Sequence, residues 1–276
     1  MKINSPQFNL MQRACMKASK VLIRDFGEIE KLQVSEKSPG DFVTASDKRV
    51  EKIIIGELQK SEYSILSEEA GLIKGKDNDK KWIIDPIDGT KDFIKQTGQY
   101  AMHLALTYEK EIILGIVPIP SKDQLWIYFQ GRGTWYETRN TEETIIMPTP
   151  STDISDLTIL TSKSHITPEF QALLEKLRPK KVIGLGSVGF KIVSLLSGDA
   201  DLYISYSSLN GSCPRDWDMA APFALMKGAG GYFTDINSRD LSFLKDDNFE
   251  QRGILVASTN RNHQKICKKI SELVNN

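Results

Sequence analysis

The chain has 276 residues, with 36 Lys plus Arg against 36 Asp plus Glu, and so a formal net charge of zero. At 40% hydrophobic and 26% charged, the composition is globular and excludes disordered and fibrous classes. A neutral chain without an acidic tail or basic arm has no gross attraction to nucleic-acid polymers or anionic membranes, and its length allows one large domain or two ordinary ones.

Residues 7 to 26 place Leu10, Ala14, Ala18, Val21, Leu22 and Phe26 at helical spacing, ending at Gly27. Ser46 reads as the N-cap of a second helix, with Val50, Ile53, Ile54 and Leu58 on one face. Tyr63 to Ser67 and Lys81 to Ile84 read as strands, joined by an exposed polar loop, GLIKGKDNDK. Residues 99 to 136 read as several strands joined by tight turns, as in an antiparallel sheet. Residues 138 to 156, rich in Thr, Ser and Pro, are the candidate junction between two subdomains, 1–150 and 151–276. The second half alternates: strands at 157–161, 181–185, 200–206, 231–234 and 254–257, and helices at 168–177, 190–196 and 218–227 and from Asn262. That is α/β alternation.

Three distant cysteines, Cys15, Cys213 and Cys267, exclude a disulfide framework and a zinc knuckle and suit a reducing compartment. The first dozen residues show no secretory pattern and no apolar run approaches a membrane span, so a cytoplasmic protein is expected.

The most informative stretch is WIIDPIDGTKDF, residues 82 to 93. An apolar strand delivers Asp85; Pro86 is expected to end the sheet ladder because it has no N–H. Asp88 follows three residues later, and Gly89 permits a sharp turn. Two carboxylates so spaced, with the Ile87 carbonyl between them, can converge on a hard cation; oxygen-only ligands favour Mg²⁺. Asp, Pro and Gly also occur together at ordinary strand-to-turn junctions. Glu68 closes the preceding apolar run. Asp218 and Asp47 sit near helix starts, where an acid also serves the helix dipole.

The set EE, DPIDGT, then WD with a small-residue helix and GAGG resembles the inositol monophosphatase superfamily of Mg²⁺-dependent, lithium-sensitive phosphatases. The likeness runs from VTASD at 43–47 to WDMAAPFALMKGAGG at 217–231. It implies a layered αβαβα sandwich, with the site between two subdomains. It also implies metal ligation by Glu68, Asp85, Ile87, Asp88 and Asp218, with two or three Mg²⁺ ions. Asp47 and Thr90 would be the water-activating pair. Two metals can supply both an activated water and charge neutralisation for phosphate ester hydrolysis, by in-line attack.

Three segments resemble the 3'(2'),5'-bisphosphate nucleotidase branch. The DG turn continues as DGTKDF, not DGTTNF. Thr161 to His165, TSKSH, resembles a segment whose hydroxyls and imidazole contact nucleotide and phosphate, here Ser162, Ser164 and His165. The turn Gly186-Ser187-Val188-Gly189, with Lys191, resembles the element that holds a second phosphate. Gly89 joins this substrate-binding set. The literal GxGxxG spacing of Gly184, Gly186 and Gly189 is a dinucleotide decoy: the following strand, ADLYISYSS, ends without the required acid. The turn can still bind phosphate through exposed N–H groups at a helix start. Lys191 has the alternative of a snorkelling helix lysine; His165, of an ordinary loop polar residue. Arg215 either reaches a bound phosphate or pairs with Asp216.

The resemblance thus implies hydrolysis of 3'-phosphoadenosine 5'-phosphate to AMP and phosphate by a monomer or homodimer. The alternatives are an inositol monophosphatase, an inositol-1,4-bisphosphate 1-phosphatase, and a non-catalytic phosphonucleotide-binding protein.

Overall fold

The first helix, α1 (Pro6–Gly27), begins where the Ser5 side chain accepts from Phe8 N–H and Pro6 needs no donor. It buries Phe8, Met11, Ala14, Ala18 and Leu22. The computed structural model describes residues 5–29, 34–38, 41–138, 144–145, 153–163, 166–208 and 211–275. An antiparallel pair follows, β1 (Val34–Ser38) and β2 (Asp41–Thr44). The second helix, α2 (Ala45–Leu58), is capped by Thr44 and not by Ser46. Thr44 Oγ accepts from the Ser46 and Asp47 amides while the Asp47 carboxylate returns to Thr44 N–H. This capping box satisfies donors at both ends of the first turn, which Ser46 as cap would leave open.

Next come β3 (Tyr63–Ser67), β4 (Gly71–Ile73) and β5 (Asp77–Asp88). The expected exposed loop at 71–80 therefore contains a short strand: β4 folds back antiparallel on β3, and β5 starts already at Asp77. After the single-turn α3 (Thr90–Ile94) come β6 (Ala101–Tyr108), β7 (Glu111–Ile119), β8 (Gln124–Phe129), β9 (Gly133–Glu137) and β10 (Thr144–Ile145). The eight strands order as β10-β9-β8-β7-β6-β5-β3-β4; only β3 and β5 pair in parallel.

The second sheet uses β11 (Thr158–Ser162), β12 (Lys181–Leu185), β13 (Leu202–Tyr206), β14 (Tyr232–Asp235) and β15 (Ile254–Ser258) in the order β12-β11-β13-β15-β14. Its helices are α4 (Pro168–Leu177), α5 (Val188–Leu196), α6 (Asp216–Gly228) and α7 (His263–Asn275). Most of the expected junction at 138–156 lies outside the described residues.

Side-chain alternation assigns the layers. On β5, Trp82 and Ile84 pack against α1 and α2, while Ile83 faces α5 and α6. On β6, Met102, Leu104 and Leu106 take the first face, and Ala101 and Ala105 the second. That second face is small because α6 lies close: a Cβ on Gly115 would stand 3.1 Å from Ala224 Cβ. The second sheet packs Leu160, Tyr203 and Ala257 toward α5 and α6, and Ile159, Leu202 and Val256 toward α4 and α7. The result is the expected αβαβα sandwich, with α5 and α6 between the sheets. No helix among the described residues is long and apolar enough to cross a membrane.

Candidate active site

The site forms where β3 and β5 end. These strands run parallel, with Ser67 opposite Ile84, so Glu68 emerges beside Asp85. Asp85 pairs in register with His103 on β6, and Asp88 with Ala101, leaving Pro86 and Ile87 in a bulge. The strand thus runs through Pro86 to Asp88 and does not stop at it. A bulge residue needs no ladder donor, so proline is tolerated there. The Asp85 side chain accepts from Ile87 N–H at 3.0 Å, which tightens the bulge.

Asp218 arrives from the other half of the chain. It is the third residue of α6, and its Oδ2 caps that helix by accepting from Arg215 N–H at 2.6 Å. One oxygen each of Asp85, Asp88 and Asp218 lie within 4.8 Å of one another. Burial, then the charges of Glu68, Asp88 and Asp218, push the Asp85 carboxyl well above its usual range. Burial, then Asp88 and Glu68, do the same to Asp218. Two carboxyls forced upward by desolvation and by their neighbours, grouped with a third carboxylate, fit a hard divalent cation.

Asp88 behaves differently. Burial pushes its carboxyl up, but His103, Lys191 and Ser187 outweigh that and hold it below the usual range. Its Oδ2 accepts from Ser187 Oγ at 2.5 Å and from Gly189 N–H at 3.1 Å. The start of α5, expected to hold a substrate phosphate, therefore already holds a carboxylate of the chain itself. The rest of the glycine turn also faces inward. Gly186 N–H donates to Gln99 Oε1 and Ser187 N–H to the Gln99 carbonyl.

Asp47 lies buried at the start of α2, with its Oδ1 3.3 Å from Thr90 Oγ1; the same hydroxyl lies 3.0 Å from the Ile87 carbonyl. Burial pushes Asp47 up to about 6, against the hydrogen bonds from Thr44 and with a further rise from Glu69. Gly89 turns the chain into Thr90 at φ +90°, and a Cβ there would come within 2.9 Å of the Gln99 carbonyl. Both reasons demand glycine.

Glu68, Asp88, Gly89, Thr90, Ser162, Gly186, Lys191, Arg215 and Asp218 line one cleft of about 890 Å³. Ser187 is buried behind Asp88. Ser164 and His165 lie outside the described residues. Lys191 is almost fully buried, and its ammonium donates to the Leu185 and Gly186 carbonyls. Burial pushes it down to about 8, against the pull of Asp88, Asp92 and Asp218. Arg215 does not pair with Asp216. It reaches the Asn248 carbonyl and Glu250, whereas buried Asp216 accepts from Leu244 N–H and Gln251.

Four features of the site escape the sequence reading. His103 is fully buried beside Asp88. Glu51, one turn after Asp47, accepts from Ser67 Oγ and Ala70 N–H and so brackets Glu68. Lys163 donates to Asp92 and Gln99, joining the DGTKD and TSKSH segments across the two sheets. Phe170 and Tyr206 stack at 5.4 Å and 10° on the cleft wall. A polar residue inside an apolar strand is the available signal for His103; the others depend on distant partners.

The chain is similar to known proteins over most of its length. An inositol-1-monophosphatase of Rhizobium meliloti is 35% identical over 240 residues, covering 84% of this chain and 86% of that protein. The crystal structure of extragenic suppressor protein suhB from Bartonella henselae superposes with a TM-score of 0.81 at 26% identity, covering 98% of each chain. The crystal structure of an IMPase/NADP phosphatase complexed with Mg²⁺ and phosphate superposes with a TM-score of 0.77 at 19% identity, covering 96% of this chain and 95% of that one. The model of the inositol monophosphatase family matches residues 4–275, and the chain belongs to that phosphatase family.

Proposed function

We propose that the chain is a Mg²⁺-dependent 3'(2'),5'-bisphosphate nucleotidase. It would hydrolyse 3'-phosphoadenosine 5'-phosphate to AMP and inorganic phosphate. The observation that carries this reading is the composition of the cleft. One cavity is lined by Glu68, Asp88 and Asp218, by the cations Lys191 and Arg215, and by the stacked Phe170–Tyr206 pair. An aromatic face suits a nucleobase, and cationic side chains on the cleft wall suit a second phosphate. A substrate consisting of one polyol ring and one phosphate uses neither.

Mg²⁺, when bound to Glu68, Asp85, the Ile87 carbonyl, Asp88 and Asp218, would neutralise phosphoryl charge and acidify the attacking water. The remaining work falls to the chain. The Thr90 hydroxyl is positioned between Asp47 and the Ile87 carbonyl. It orients the water, and Asp47, raised to about 6, takes the proton relayed through it. Water adds to phosphorus as the ester oxygen leaves and is protonated, so one ester and one water yield AMP and phosphate. The thiol of Cys213, which lines the cleft, is pushed up by burial and by Glu250 despite the neighbouring arginines. It is therefore a poor nucleophile, which supports direct attack by water.

A second reading, inositol-1-phosphate hydrolysis, is favoured by the name of the Rhizobium meliloti relative. Phosphate release from both substrates, measured with Mg²⁺ and compared as kcat/KM, separates the two. A preference for 3'-phosphoadenosine 5'-phosphate is expected. A preference for inositol 1-phosphate refutes the nucleotidase reading and selects the second. Lithium is expected to inhibit.

A further inference from the structure

Behind the acidic cluster, three elements meet on one imidazole. His103 projects from β6 to the same face as Ala101 and Ala105, the face that packs on α5 and α6. Its ring is fully buried. Nδ1 lies 3.3 Å from the carbonyl of Trp217, the residue before Asp218. Nε2 makes no aligned hydrogen bond and faces Asp88 Oδ2 at 3.2 Å. A buried ring nitrogen left in that position calls for an explanation, because native structures pair nearly all such groups.

The first turn of α5 is built around this ring. A Cβ on Gly189 would come within 2.3 Å of His103 Nε2 and 2.8 Å of Val117 Cγ1. Only glycine lets α5 approach, and the approach brings Gly189 N–H to Asp88 Oδ2. Three groups therefore converge on one oxygen of Asp88: Ser187 Oγ, Gly189 N–H and the imidazole edge. With Oδ2 so engaged, the rotation of the carboxylate is set and Oδ1 is the oxygen left for a cation.

We propose that His103 is a positioning residue of the metal site, orienting Asp88 through a proton on Nε2; a neutral ring carries one N–H, which goes to Asp88 and not to the Trp217 carbonyl. The proposal rests on the reading of the acidic cluster as a divalent-metal site. Groups that orient a metal-bound carboxylate typically account for about 10- to 100-fold in metal affinity. The imidazole edge is expected to act at the low end, because Ser187 and Gly189 share its task.

The test is calorimetric titration of Mg²⁺ into the metal-free full chain, without substrate, beside thermal melts in EDTA. The wild type is expected to bind; absence of binding overturns the metal reading itself. His103→Leu fills the same space without a polar edge and is expected to bind Mg²⁺ about 10-fold more weakly. Its metal-free melting temperature is expected to stay level or rise. His103→Gln, whose amide can reach Asp88, is expected to recover most of the affinity. If the Leu variant fails to fold, His103→Asn takes its place with the same expected loss, since its shorter amide can reach Trp217 but not Asp88. Wild-type affinity in the Leu or Asn variant overturns the role of His103. Equal weakening in the Gln variant also overturns it, because the loss then follows ring shape and not the group facing Asp88.

Discussion

Replacing Asp85 by Asn is expected to stabilise the metal-free protein while abolishing turnover. Asp85 is buried, and its ligand oxygen lies within 4.8 Å of those of Asp88 and Asp218. Two full charges at that distance repel by about 3.5 kcal/mol at an effective dielectric of about 20. Asp85 and Asp218 are both pushed up, by burial first and by neighbouring carboxylates second, so full charge on each is disfavoured and that repulsion is an upper bound. A gain of about 1–3 kcal/mol remains. Asparagine keeps an Oδ1 to accept from Ile87 N–H, so the bulge survives. For a chain of this size the gain is a rise of about 2–5 °C in melting temperature. The assay is a thermal melt of wild type and variant near neutral pH, in EDTA and in millimolar Mg²⁺. The wild type should gain stability from Mg²⁺, and the variant should gain little. An unchanged or lower melting temperature in EDTA, or an undiminished Mg²⁺ gain, would refute the idea that this residue carries charge into a cation site.

The same carboxyls make metal-free stability depend on pH. Their folded-state values are raised, so their contribution is most favourable in acid and is lost as pH climbs from about 4 through the raised values. The Mg²⁺-induced rise in melting temperature should therefore grow with pH across that range, and a flat dependence counts against it. Thr90→Ala is expected to lower kcat by about 10²- to 10⁴-fold without unfolding the chain. In the wild type, kcat should fall as pH drops through about 6, where Asp47 takes up a proton; a profile flat through that region removes Asp47 from the relay. Glu51→Ala strips the acceptor from Ser67 Oγ and Ala70 N–H and should cost about 1–3 kcal/mol in urea unfolding. It should also weaken Mg²⁺ binding about 10-fold through Glu68.

The clustering of Asp85 and Asp88 was legible locally, in one turn with Gly89, whereas Glu68 and Asp218 joined the set only through the family resemblance. The layered sandwich was implied by the family resemblance, while the sequence pattern itself marked the apolar stripe of α1 and the α/β alternation of the second half. What escaped depends on partners far along the chain. Glu51 meets Ser67, 16 residues on. Lys163 meets Asp92, 71 residues back. Ser46 competes with Thr44 for the cap of α2, and the choice turns on the reciprocal bond from Asp47. The glycine turn before α5 reads as a phosphate cradle, yet its donors meet Asp88, an anion 99 residues upstream of Ser187. Spacing reveals an anion-binding helix start but not which anion takes it.

The carboxylates and the far wall of the cleft belong to different layers. Glu68, Asp85 and Asp88 end strands of the first sheet, and Asp218 starts a helix packed on it. Ser162, Ile204 and Tyr206 sit on strands of the second sheet, and Phe170 on a helix behind it. Substitutions in the second layer can reshape what fits without disturbing the hydrolytic groups. A lineage with this layout can drift from one phosphate ester to another by changing a wall, each intermediate still able to cleave.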